Sequence, residues 1–208
     1  QQQQQQQQQK KTGKKKQCPD YEQIRQPSVD ASVFDISEFQ GTWYLTATTE
    51  PTLPTFCRCG VNEVYVNKEG GWYQYHNIDY CDHLDKNITI PIKGQLSTDS
   101  SSPGKLRENF ALFNKTILKL LPNYIFHAQR DKTSGKVERL YTYACLGRLP
   151  IEEKFSFNLL TRTHNYTSDE ILRAVKSVNA TTQGILDISG LRINNASQYA
   201  DCGFFATI

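Results

Sequence analysis

The chain has 208 residues, 38% hydrophobic and 22% charged, enough for one domain with a substantial core and too few for two large ones. Its formal charge of +3 arises in the first 17 residues: setting aside Lys10, Lys11, Lys14, Lys15 and Lys16 leaves 19 basic against 21 acidic residues, a net −2. That balance excludes a basic nucleic-acid-binding surface on the folded part, and no apolar run approaches the ~20 residues of a membrane-spanning helix.

Residues 1 to 17, nine glutamines followed by KKTGKKKQ, have nothing to bury and are predicted to be a disordered, solvated tail, with one domain running from 18 to 208. The lack of methionine and the opening glutamine predict a removed signal peptide. Six cysteines without a C-x-x-C pair suit three disulfides better than a metal centre. Five sequons, at Asn87, Asn114, Asn165, Asn179 and Asn195, predict N-glycosylation. Together these features point to a secreted, extracellular glycoprotein.

From Cys18 to Ser37 the chain reads as an irregular lead-in with apolar hooks at Val33, Phe34 and Ile36. Strand signals rich in Thr, Tyr, Val, Ile and Phe then follow over 42–49, 60–66, 72–80, 87–96, 107–113, 124–129, 137–146 and 155–163. Turn signals at 68–71, 101–104, 131–135 and 147–150 separate several of them. Eight short strands joined mainly by hairpin-length turns make an antiparallel meander, and closure into an up-and-down barrel hides both of its edges. One helix is predicted next, capped by Thr167 or Ser168, with Ile171, Leu172, Val175 and Val178 on the face laid against the barrel. A short extra strand is expected at 184–188.

Several stretches resemble the lipocalin family. Gly41-Thr42-Trp43-Tyr44 matches the family's G-x-W on the first strand, and Arg162, after Leu159-Leu160-Thr161, stands where its conserved arginine follows the last strand. The resemblance implies an eight-stranded barrel in which Trp43 plugs the closed end and Arg162 packs across the indole. Such a stack contributes about 0.5–2 kcal/mol and leaves the guanidinium free to donate to strand-end carbonyls. PDYEQIRQPSVDASVFDISEFQGTWY, NYIFHAQRD and FNLLTRTHNYTSDEIL are similar to the apolipoprotein D-like group, over about residues 18 to 202. Gln129-Arg130-Asp131 departs from the Thr-Asp-Tyr motif of the closest members.

That resemblance implies disulfides Cys18–Cys145 and Cys59–Cys202, leaving Cys57 with Cys81. If Val66 opposes Trp72 across Gly70-Gly71, Cys57 falls opposite Cys81, and the register agrees. With Cys59 and Cys81 facing outward, Asn62, Val64, Val66, Trp72, Gln74 and His76 point inward and Tyr65, Tyr73 and Tyr75 point out. On the first strand Leu45 and Ala47 share the face of Trp43. The sixth and seventh strands add Phe126 or Ile125 and Tyr143 or Tyr141, of which Phe126 and Tyr143 stand as the candidates.

An interior of Trp and Val beside Asn, Gln and His has the make-up of a small-ligand pocket. The expected function is a monomeric carrier of a small hydrophobic molecule such as a fatty acid, sterol, retinoid or pigment, with no cofactor or metal. The alternative is a lipocalin-fold enzyme or a biogenic-amine scavenger using Glu63, Asp79 and Gln74. His76, His83, His127 and His164 are scattered without a catalytic motif, and Asp79, Asp82 and Asp85 around His83 read as a solvated hairpin.

Overall fold

A computed structural model describes residues 19–51, 53–112, 115–148 and 153–202. The strand-forming stretches pair in chain order: β1 (Gly41–Thr48), β2 (Cys57–Asn67), β3 (Trp72–Cys81), β4 (Lys86–Gln95), β5 (Lys105–Leu112), β6 (Lys115–Arg130), β7 (Val137–Arg148) and β8 (Glu153–Thr161). β8 pairs with β1 and β1 pairs with β2, so the sheet closes into an eight-stranded antiparallel barrel. A two-residue β9 (Arg192–Ile193) adds to β1. The extra strand expected at 184–188 is instead turn and irregular chain.

The lead-in folds into α1 (Tyr21–Ile24) and two 3-10 turns, Pro27–Val29 and Ile36–Phe39. Asp35 starts the second by accepting from the Ser37 backbone N–H at 2.8 Å. These turns carry Val29, Phe34, Ile36 and Phe39 across one end of the barrel, where they pack with Trp43, Tyr73, Leu106, Ile125 and Leu140 as an inner core.

A second core lies outside the wall. α2 (Ser168–Thr181) begins with a capping box, in which Glu170 accepts from the Thr167 backbone N–H at 2.8 Å and Thr167 accepts from that of Glu170 at 3.3 Å. Ile171, Val175 and Val178 are buried against Phe126, Tyr141, Phe157 and Leu159, each removal from water contributing roughly 1.5–3 kcal/mol. After α2, a short α3 (Ala196–Asp201) is tied to the barrel by Tyr199, whose hydroxyl donates to the Gly60 carbonyl at 2.7 Å and that of Leu45 at 3.1 Å.

Disulfides join Cys57 to Cys81 and Cys59 to Cys202. Cys145 is also disulfide-bonded; its expected partner Cys18, like the sequon residue Asn114, lies outside the described residues.

Bulges set which way the side chains face. In β2, Arg58 pairs with Tyr80 and Val61 with Ile78, so Cys59 and Gly60 together oppose Asp79. The register at Cys57–Cys81 is therefore the expected one, while at the hairpin Val66 faces Tyr73 and Trp72 faces Asn67. β1 gains a residue at Thr46, and β6 gains one at Phe126. Because strand side chains alternate, each extra residue turns the chain beyond it to the opposite face.

Candidate functional site

At the closed end, Trp43 is fully buried and its indole N–H donates to the Phe39 carbonyl at 2.7 Å. The Arg162 guanidinium lies 3.6 Å from the indole centroid and donates to the carbonyls of Thr42, Glu38 and Gln40 at 2.8–3.0 Å. Gly41 sits at φ 103° with Arg162 3.0 Å from where a Cβ would stand, so the strand can start beneath the guanidinium only with glycine.

Above this plug the barrel holds a cavity of about 290 Å³. Phe39, Leu45, Ile90, Ile92 and Leu160 form an apolar wall, Leu53 and Pro54 of the β1–β2 loop reach over it, and Glu50, Asn62, Tyr75, Asn77, Glu108, Asn123 and Asn158 supply the polar side. Glu108 is 8% exposed. One of its oxygens accepts from Asn123 at 2.7 Å and from the Tyr75 hydroxyl at 3.1 Å. Burial, with the Glu50 carboxylate adding to it, pushes the Glu108 carboxyl up to about 7, although the two donors pull the other way. Asn62 is 7% exposed, and its side-chain oxygen has no hydrogen-bond partner among the described residues.

Asp79 sits in the wall at the β2 bulge, 2% exposed and accepting from Asn77. Its other oxygen lies 2.7 Å from where a Cβ on Gly60 would be, so the bulge glycine gives the carboxylate its space. Burial raises this carboxyl to about 6.

Of the residues the sequence places inside, Leu45 and Asn62 line the cavity. Val64 and Val66 face inward but belong to the packed core. Trp72, Gln74 and His76 are corrected to the outer surface, and Tyr73 and Tyr75 to the interior, because the β2 bulge shifts β3 by one residue. Ala47, Phe126 and Tyr143 lie in the core beneath α2, the first two following the bulges in β1 and β6. Glu63 and Gln74, suggested as polar contacts, are likewise outside: Glu63 is exposed, and Gln74 shares the outer face of Trp72 and His76.

The acids that do reach the cavity, Glu50 and Glu108, were not signalled as a motif. Glu108 was legible by alternation, since Leu106 two residues earlier belongs to the core. So were Ile90 and Ile92, which alternate with Thr89, Pro91 and Lys93.

The histidines are dispersed: His76 is exposed, His83 packs tilted against Phe56, His127 meets Ser28 at 2.7 Å and His164 lies by Tyr44 and Tyr199. No group of three metal-ligating side chains occurs among the described residues. Asp82 pairs with Arg58 at 3.0 Å and Asp85 accepts from Tyr80 at 2.6 Å.

A closed eight-stranded antiparallel barrel, plugged at one end, with an internal cavity and an outer helix, is the lipocalin fold. Three structures that share it come from arthropods. Insecticyanin from the tobacco hornworm Manduca sexta superposes with a TM-score of 0.60 at 19% identity, covering 89% of each chain. Lobster apocrustacyanin A1 gives 0.53 at 13% identity over 76% of this chain and 78% of its own. The cockroach allergen Per a 4 gives 0.52 at 13% identity over 78% and 88%. No family model and no curated protein matches the chain.

Proposed function

We propose that the protein is a secreted member of the lipocalin family that carries a small amphiphile in its barrel. The carrying observation is the cavity itself, lined by the apolar Leu45, Ile90, Ile92 and Leu160 together with polar groups such as Glu108, Asn123 and Asn158. At about 290 Å³ the cavity is at the small end of ligand sites, which run from roughly 300 to 1,000 Å³. It favours a short chain or single ring over a rigid sterol.

The disulfides Cys57–Cys81 and Cys59–Cys202 support an oxidising, extracellular setting. Asn87 and Asn165 are exposed and suit N-glycans. Asn179 is half-buried, and Asn195 is occupied as the cap of α3, donating to Ser168 at 2.8 Å.

Native mass spectrometry of protein from its own source is expected to show a bound small molecule. Ala144→Phe projects a ring into the cavity from a residue that lines it, and is expected to abolish binding while circular dichroism stays barrel-like. Trp72 lies on the outer surface, so its fluorescence is not the reporter. Equal ligand content in a folded Ala144→Phe protein would refute the proposal.

A further inference from the structure

Outside the barrel, α2 and the outer faces of β6 and β7 enclose a groove of about 370 Å³ that shares no lining residue with the internal cavity. Two guanidiniums meet there. Arg139 is fixed in the wall, 4.6 Å from the Tyr166 ring centroid and 4.0 Å from Glu138, whose carboxylate also accepts from the Tyr166 hydroxyl. Arg173 lines the groove from α2 and makes no ion pair among the described residues.

The neutral groups of the groove add donors rather than acceptors. The Ser28 hydroxyl oxygen accepts from the Ala128 backbone N–H at 3.0 Å and lies 2.7 Å from His127 Nδ1, so its own proton goes to that nitrogen and the imidazole carries its proton on Nε2. Burial pushes the imidazole down to about 4, which keeps it in this neutral form. The Gln129 side-chain oxygen accepts from the Tyr141 hydroxyl at 3.3 Å, leaving its amide hydrogens to be used. Glu170 is the one carboxylate lining the groove among the described residues, and one of its oxygens is committed to the helix cap, accepting from the Thr167 backbone N–H and hydroxyl at 2.8 Å each.

An occupant must therefore bring negative charge and several acceptors. An ammonium brings neither, and an alcohol brings a single oxygen. A tetrahedral oxyanion brings three oxygens to two guanidinium forks, the geometry for which arginine is best suited. The groove also falls within the roughly 300–1,000 Å³ of organic-ligand sites, and Ala174, Val178 and the Tyr141 ring give it an apolar flank. We propose that this groove binds a sulfate or phosphate monoester, its oxyanion between Arg139 and Arg173 with His127 and Gln129 as further donors, and its organic body against Ala174, Val178 and Tyr141.

The test is calorimetry on the full chain near neutral pH and low salt with three probes of one shape: phenyl phosphate, phenyl sulfate and benzylamine. At least one ester is expected to bind about tenfold more tightly than the amine, and the tighter of the two identifies the source of the oxyanion. Arg173→Gln, on the exposed side of α2, should weaken that ester about tenfold. Lys176→Gln removes an equal charge from the same helix outside the groove and should change affinity by less than about twofold. Ala144→Phe, which fills the barrel cavity, should leave the ester's affinity unchanged. A folded wild-type chain that binds neither ester, or binds the amine equally well, overturns the proposal. So do equal losses in Arg173→Gln and Lys176→Gln, which mark unspecific attraction, and a loss in Ala144→Phe, which moves the ester into the barrel. None of these results bears on whether the barrel carries its own ligand.

Discussion

Around Trp43 the barrel interior is filled by Phe39, Tyr73, Leu106 and Leu140, and Arg162 spends its hydrogen bonds on three carbonyls. A few residues further along the same strands the interior holds Glu108, Asn62, Asn123 and Asn158 around open space. β1, β2 and β3 run through both regions, so the contrast lies chiefly in the side chains they present. One end is packed for stability, and the other keeps buried polar groups beside open space.

The largest effect is expected from breaking the packed end. Trp43→Ala deletes a fully buried indole, its bond to Phe39 and the surface on which Arg162 lies, and should cost about 3–5 kcal/mol in urea or guanidinium unfolding. Full stability with lost ligand binding would reverse the roles of the two ends.

Glu108→Gln tests the open half, and there the sign is opposite. The ordinary carboxyl value of 4.5 is raised to about 7 in the folded protein. Below 4.5 the group is protonated whether folded or unfolded and its contribution to stability is intact. As pH rises through 7 the unfolded chain ionises more readily, and that contribution is lost. The difference amounts to about 3 kcal/mol at pH 8. The glutamine variant should therefore melt higher than wild type at pH 8 and match it at pH 4, and equal melting at both pH values would show that the buried carboxyl carries no such penalty.

The contrast between the ends also explains how much of the molecule its sequence disclosed. At the closed end the pairing of Trp43 with Arg162 was implied by the resemblance of Gly41-Thr42-Trp43 and Arg162 to lipocalin motifs, and the contact between Arg162 and Gly41 gives the steric reason for the glycine. The helix was equally plain, since Thr167 and Glu170 cap it and Ile171, Val175 and Val178 recur at helical spacing. The cavity was not, because its lining depends on strand parity, and parity is reset wherever a strand takes an extra residue. Thr46 and Phe126 give no local sign of such an insertion. Cys59-Gly60 does, since a glycine inside a strand often marks a bulge. Cys57 opposite Cys81 is satisfied by one register and the 67–72 hairpin by another, so a single register carried along β2 and β3 put Trp72, Gln74 and His76 on the wrong face.

A milder change at the plug measures geometry rather than bulk. Arg162→Lys keeps the charge but removes the flat fork that covers the indole and reaches Thr42, Glu38 and Gln40 together. About 1–2 kcal/mol of stability should be lost, read as a lower midpoint at unchanged denaturant slope. A loss as large as that of Trp43→Ala would mean that the arginine, rather than the indole, closes the barrel.

The smallest effect falls on the residue that joins the two regions. Asn62 pairs across the sheet with Trp43, yet its side-chain oxygen is buried without a donor among the described residues. Replacing it by leucine, of similar size, removes a buried unmet acceptor and should stabilise the free protein by about 1 kcal/mol. If Asn62→Leu lost stability instead, the oxygen would have to be satisfied within the folded chain, and the open half would be as self-sufficient as the closed one.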